Sequence, residues 1–215
     1  MLTPGNQKLG AGKLIWSLGL PSRSTCPGRT PCCTGPCYSA RLESFRPNLR
    51  RRYERNLALS RRPDFACLVL AFLTLYDVQV LRVHTGGDYY SAPYARKWLT
   101  VMRRARHVRF FFYTRSWRVP AIRRVLWRMA RLPNVRAWFS CDRDTGVPVS
   151  VPAGVRLAWL MTSPEDLPPH ADLVFRTLPL RRTVLKRVGL ALVCPTENGA
   201  TGHRTDCGRC RVCWR

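Results

Sequence analysis

Apolar positions along this chain follow two rhythms that alternate from about the seventy-fifth residue onward. Short apolar runs, Val78–Val83 (VQVLRV), Val108–Tyr113 (VRFFFY), Val135–Phe139 (VRAWF), Val155–Met161 and Leu173–Phe175, read as strands. Between them lie stretches with helical spacing. Ala92–Arg106 puts Tyr94, Trp98, Leu99 and Met102 on one face, and Ala121–Leu132 does the same with Ile122, Val125, Leu126 and Met129. Ahead of these, Leu14–Leu20 is a candidate first strand. Tyr38–Ser60 reads as a helix broken near Pro47, and Phe65–Leu75 as a buried helix. Strands alternating with helices predict an α/β fold with a parallel sheet and right-handed crossovers.

In such folds reactive residues gather at the carboxyl ends of the strands. Four predicted strand ends carry polar types: the loop after Leu20, His84-Thr85-Gly86-Gly87-Asp88, Thr114-Arg115-Ser116, and Ser140-Cys141-Asp142. Together they predict one mouth. His84, Asp88, Tyr113 and Arg115 are its candidate catalytic residues. Against that, Gly-Gly-Asp is ordinary turn chemistry, and a lone Tyr or Arg at a rim is often only packing.

The loop after Leu20 changes the picture, because it holds four of the chain's ten cysteines: Cys26, Cys32, Cys33 and Cys37, spaced among Gly and Pro. Four more, Cys194, Cys207, Cys210 and Cys213, form a second group. Cys67 sits in an apolar run and reads as a small core residue; Cys141 reads as a packed strand-end thiol. The opening residues do not form a signal peptide, and the longest apolar run, Phe65–Leu73, falls short of the roughly 20 residues a membrane span needs. A reduced, cytoplasmic chain that does not contact membrane is therefore expected, and grouped thiols there point to metal ligation rather than disulfides.

Cys26, Cys33 and Cys37 as three thiolates would leave one iron of a four-iron cluster open, whereas Cys32 as a fourth ligand would close the site or suit structural zinc. Spacing alone does not choose between Cys32 and Cys33; Cys33 is the preferred ligand. Cys207-x2-Cys210-x2-Cys213 with a distal Cys194 matches the close spacing of iron–sulfur ligation, with zinc, and His203 as a substitute ligand, as the alternative. Trp214 would shield such a site or stack on a base.

The chain is also strongly basic, with 37 Lys and Arg against 12 Asp and Glu and a net charge of +25. Nucleic acid or a phosphorylated substrate fits that field. One candidate track is Arg46, Arg50, Arg51, Arg52 and Arg55 with Tyr53 among them, for which a solvated helix face is the plainer reading. No Ser-His-Asp arrangement, P-loop or carboxylate pair suggests a hydrolase.

The segments TPGNQKLG, TCPG, CYSAR, RVHTGGDYYS, YTRS, SCDRDTG and CGRCRVCW resemble the phage and prophage family called gene product 88, over nearly the whole chain. The order of elements more distantly resembles the radical S-adenosylmethionine (SAM) enzymes. That resemblance implies a partial (β/α) barrel over residues 1–190, followed by a cluster-binding segment, residues 191–215. It implies a [4Fe-4S] cluster on Cys26, Cys33 and Cys37, SAM against Gly86, Gly87, Asp88 and Ser140, and an electron donor as partner. The superfamily's C-x3-C-x2-C loop is met at Cys33 and Cys37 and has Ala40 at its third position. The reading so far is a radical-SAM-like iron–sulfur enzyme acting on nucleic acid or a nucleotide, the alternative being a non-catalytic, metal-stabilised nucleic-acid-binding phage protein in the host cytoplasm.

Overall fold

The computed structural model describes residues 1–10, 12, 14–182, 192–197 and 205–215. His203 lies outside the described residues. The strands are β1 (Thr3–Pro4), β2 (Ile15–Leu18), β3 (Val80–Val83), β4 (Arg109–Thr114), β5 (Val135–Cys141), β6 (Val155–Met161), β7 (Leu173–Arg176) and β8 (Leu192–Val193). They form one eight-stranded sheet in chain order, antiparallel between β1 and β2 and parallel everywhere else. This is the winding that repeated right-handed strand–helix–strand units produce.

The helices are α1 (Pro31–Thr34), α2 (Tyr38–Phe45), α3 (Pro47–Arg61), α4 (Phe65–Leu75), α5 (Ala92–Arg104), α6 (Pro120–Ala130) and α7 (Cys207–Cys210). Three of the longer helices begin with proline in their first turn, where no backbone donor is lost. Ser91 caps α5 by accepting the Tyr94 amide. Pro47 divides α2 from α3, since proline's ring and missing N–H fit a helix start and not its interior.

Alternation along the strands splits the sheet into two unlike faces. Leu18, Leu81, Val83, Phe110, Phe112, Phe139, Leu157 and Trp159 join the buried sides of α4, α5 and α6 in one large apolar core. The opposite face carries Ile15, Val80, Phe111, Trp138, Ala158 and Leu173, and it is covered by Cys194, Cys207, Cys213 and Trp214.

Two expectations about burial change. Cys67 is exposed rather than in the core, because α4 fully buries only Phe65, Val69 and Leu73, packs Ala66, Leu70 and Phe72 at the core's edge, and turns Cys67 outward. Tyr53 is buried, its hydroxyl 3.3 Å from that of Thr85, so the arginines of α3 have no exposed aromatic partner. No described helix is long and apolar enough to cross a membrane.

Candidate metal centres

The first cysteine loop leaves β2 at the carboxyl end of the sheet and is fastened there by close backbone packing. At Gly28 a side-chain carbon would fall within contact distance of the Arg115 carbonyl, so only glycine lets the loop lie on the turn after β4. Gly87, at φ +73°, and Gly86 press in the same way against Thr25, Leu20, Ser39 and Tyr53. Glu43 of α2 accepts from the Ser22 amide and hydroxyl and from Ser39, tying the loop to the helix that follows it.

Within this frame Cys26, Cys33 and Cys37 come within electrostatic reach of one another. Each is half-buried. Burial pushes the Cys26 thiol up to about 12, and the nearby Asp88 and sister thiols add to the shift. Burial also raises Cys33, against the Arg115 guanidinium, which lowers it. Thiols so reluctant to ionise become thiolates when a metal cation compensates the charge.

Cys32 goes elsewhere. Its sulfur lies 3.6 Å from the Thr162 hydroxyl, and its neighbours are Asp142, Asp144 and Asp166. Cys32, Asp142 and Asp144 offer three ligand atoms within 4.8 Å of one another. Those atoms are already occupied. Asp142 accepts from the Asp144 and Thr145 amides, from Thr30 Oγ1 at 2.8 Å and from Arg115 at 2.8 Å. Asp144 accepts from the Cys32 amide at 2.7 Å. The trio is a clamp on the start of α1.

The strand-end residues divide. Asp88 is buried and uses both oxygens inside the protein, one for the Tyr89 amide and Thr114 hydroxyl, the other for the Arg115 and Ser116 amides. Burial raises its pKa, while those four donors oppose the rise. Arg115 pairs with Asp142 beside Cys33, and its guanidinium lies 3.4 Å from the Ser140 carbonyl, which also accepts from Trp117 at 3.0 Å.

His84 is in the helix-side core, 2.9 Å from the Tyr94 hydroxyl, with burial lowering its pKa to about 3. Cys141 is fully buried and held at about 12 by burial. Tyr113 does not share a mouth with Arg115. Strand alternation turns it to the other face, where its ring stacks on Trp138 and its hydroxyl faces Cys213.

That other face holds the second cysteine group. Cys207 is within electrostatic reach of Cys194 and Cys210, and Cys213 of Cys207 and Cys194. The segment is bonded directly to the sheet: Trp138 donates to the Cys213 carbonyl at 3.0 Å, and the Cys207 amide donates to the Lys8 carbonyl at 2.9 Å. Trp214 is buried and donates to the Cys207 carbonyl at 2.9 Å, so it shields this site and is unavailable to stack on a base.

Sequence reasoning missed the cations here. Arg82 lies over the Tyr113 ring beside Cys207 and Cys213, and Lys8 lies between Glu197 at 2.8 Å and Cys194. Burial works against the Lys8 charge, but Glu197 and Cys194 outweigh it and raise its pKa. Only an alternation count on β3 would have turned Arg82 toward the covered face.

The donor sets suit a metal of some size. Zinc, with Zn–S bonds of about 2.3 Å, draws tetrahedral sulfurs to roughly 3.8 Å from one another. In neither cysteine group do three sulfurs lie within 4.8 Å of one another. Both groups are more open than a closed zinc site.

These features define a mixed α/β protein with a mostly parallel sheet and two thiol-lined sites, one at the strand ends and one on the face opposite the long helices. The chain belongs to the Gene product 88 family, which it matches over residues 1–215. It is 30% identical over 153 residues to the Gene 88 protein of Mycobacterium phage L5, covering 65% of this chain and 61% of that protein. To the Gene 88 protein of Mycobacterium phage D29 it is 28% identical over 153 residues, with the same shares. The chain thus spans 61% of the length of these curated relatives. No solved structure matches.

Proposed function

We propose that this protein is an iron–sulfur protein that carries a four-iron cluster on Cys26, Cys33 and Cys37 and a second on Cys194, Cys207, Cys210 and Cys213. On this reading it is a radical-SAM-like enzyme, an open partial (β/α) barrel acting on nucleic acid or a nucleotide. The observation that carries the proposal is the division of labour in the first loop: three thiols gather at the carboxyl end of a parallel sheet while Cys32 is turned to Thr162. Three ligands leave one iron for an exchangeable group, and a bound cluster supplies one-electron reduction there. Arg115, anchored by Asp142, places a positive charge beside Cys33 and offsets the charge of its thiolate. The second set, partly covered by Trp214, suits a relay from an electron donor.

A second reading, a non-catalytic metal-stabilised protein, is favoured by Asp88. With both oxygens engaged by protein donors, it has none free for the ammonium of SAM.

Anaerobic reconstitution followed by iron and sulfide quantification decides between them, with electron paramagnetic resonance of the reduced protein before and after SAM. The enzyme reading expects roughly eight irons and a signal that SAM alters. Iron without a SAM response leaves the second reading, and zinc in both sites removes the iron–sulfur proposal.

A further inference from the structure

The outer side of the second cysteine segment forms a shallow, open cleft of about 410 Å³ lined by Arg209, Cys210, Arg211, Val212 and Arg215. Two further guanidinium groups underlie it. Arg136 of β5 donates to the Arg215 carbonyl at 2.9 Å, and Arg156 of β6 to the Val212 carbonyl at 3.2 Å. These five cations form a track running from α7 onto the strands. Among the described residues only Arg209 has an acidic partner, Asp206 at 3.9 Å, and its side chain is 80% exposed. Arg211 holds a left-handed backbone, φ +62°, where glycine or asparagine would be less strained, so a guanidinium occupies a costly position.

We infer that this cleft binds the sugar–phosphate backbone of nucleic acid. Guanidinium forks match phosphate oxygens two at a time, and a row of them suits a polymer of phosphates better than one small anion. A lipid surface would need apolar side chains among the cations, and among the described residues Val212 is the only one lining the cleft. The metal-binding segment would thus also be the docking element, its backbone fixed from beneath by Trp138, Arg136 and Arg156. The arginines of α3, with Glu54 4.0 Å from Arg50, are the competing track. The inference rests on the nucleic-acid part of the function proposed above and is independent of its radical chemistry.

The test is fluorescence anisotropy of a labelled single-stranded 20-mer against the reconstituted protein at several salt concentrations. The variants are R209Q/R211Q/R215Q in the cleft and R50Q/R51Q/R55Q on α3, with iron content as the check on folding. Cleft binding expects the first variant to bind at least tenfold more weakly at 0.1 M salt and its salt slope to fall by about 2, with the second near wild type. Should the triple variant lose iron, R209E alone, at the most exposed position, is expected to weaken binding several-fold. Loss with the α3 variant only would overturn the cleft and leave nucleic acid as partner. Wild-type protein that ignores the oligonucleotide but binds polyglutamate would overturn both.

Discussion

The two cysteine groups set the same side chain in opposite surroundings. The first is built on turns at the strand ends, half-buried, with the Arg115–Asp142 pair beside it and one cysteine sent elsewhere. The second is laid on the sheet face, walled by Trp138, Tyr113 and Trp214, with Cys194 and Cys207 buried and the cations Lys8 and Arg82 beside the thiols. A half-buried thiol set at strand ends suits exchange with an incoming group. One laid against a sheet face, with Cys194 and Cys207 buried, adds to the core there. The second region should therefore matter more to stability, and the first to reactivity.

Cys207→Ser is the most demanding check on that contrast. On the proposed cluster reading it removes a buried ligand in the apolar cluster of Leu9, Phe111 and Trp214. The expected loss is about half the iron and on the order of 5 kcal/mol, more than 10 °C in Tm. The matched Cys26→Ser should lose a similar amount of iron with a shift of only a few degrees. Equal melting shifts for the two would abolish the distinction.

Next in size is Arg115→Leu. Its side chain and that of Asp142 are 9% and 0% exposed, so the substitution strands a buried carboxylate and should cost about 3–5 kcal/mol. It also removes the cation beside Cys33. The first site alone should then change its electron paramagnetic resonance signal. An altered second site would mean the two regions are coupled.

Acid separates the regions by a smaller amount. His84 lies just ahead of the Gly86–Gly87 turn on which the first loop packs, and burial lowers its pKa from 6.5 to about 3. Between those values the unfolded chain binds a proton that the folded protein refuses. Stability is complete above pH 6.5 and falls by about 1.4 kcal/mol per unit below it, roughly 2 kcal/mol by pH 5. Urea midpoints measured from pH 7 to 5 should show this slope, and His84→Asn, tolerated at φ +66°, should flatten it. An unchanged slope in the variant would move the acid response to another group.

Much of this arrangement was legible in the residue pattern. Val155–Met161 and Phe65–Leu75 have the predicted bounds, and the other main elements differ by a few residues at their ends. The two-residue strands β1 and β8 carry too little periodicity to read. The errors share a cause: which surface an element turns outward is decided by partners far along the chain. An apolar run such as Phe65–Leu75 marks no face of its own, so Cys67 was placed inside. Tyr113 and Arg115 are two apart in sequence, yet β4 ends between them, and the turn after Thr114 sends Arg115 to the strand-end site. The face Tyr113 occupies acquires its meaning from Cys213, a hundred residues further on. Asp88 looked free because its donors, from Thr114 to Ser116, arrive from a different strand end.

Cys32→Ser should produce the smallest effect and is the closest test of the first site's composition. Cys32 and Cys33 are adjacent, and spacing gives either one as a ligand. The choice falls to Thr30, which accepts the Cys33 amide and donates to Asp142, while Asp144 takes the Cys32 amide. Those bonds fix the first turn of α1 so that successive side chains diverge, Cys33 toward Cys26 and Cys37, and Cys32 toward Thr162. Serine at position 32 keeps the amide bond to Asp144 and can still pair its hydroxyl with Thr162, so the cost should stay below about 1 kcal/mol. Iron content should remain that of the wild type, whereas Cys33→Ser loses the first site's share. If the two losses were reversed, Cys32 would be the ligand. If both variants lost iron, the first site would be closed by four thiolates, as proposed for the second, and the contrast between the regions would reduce to burial alone.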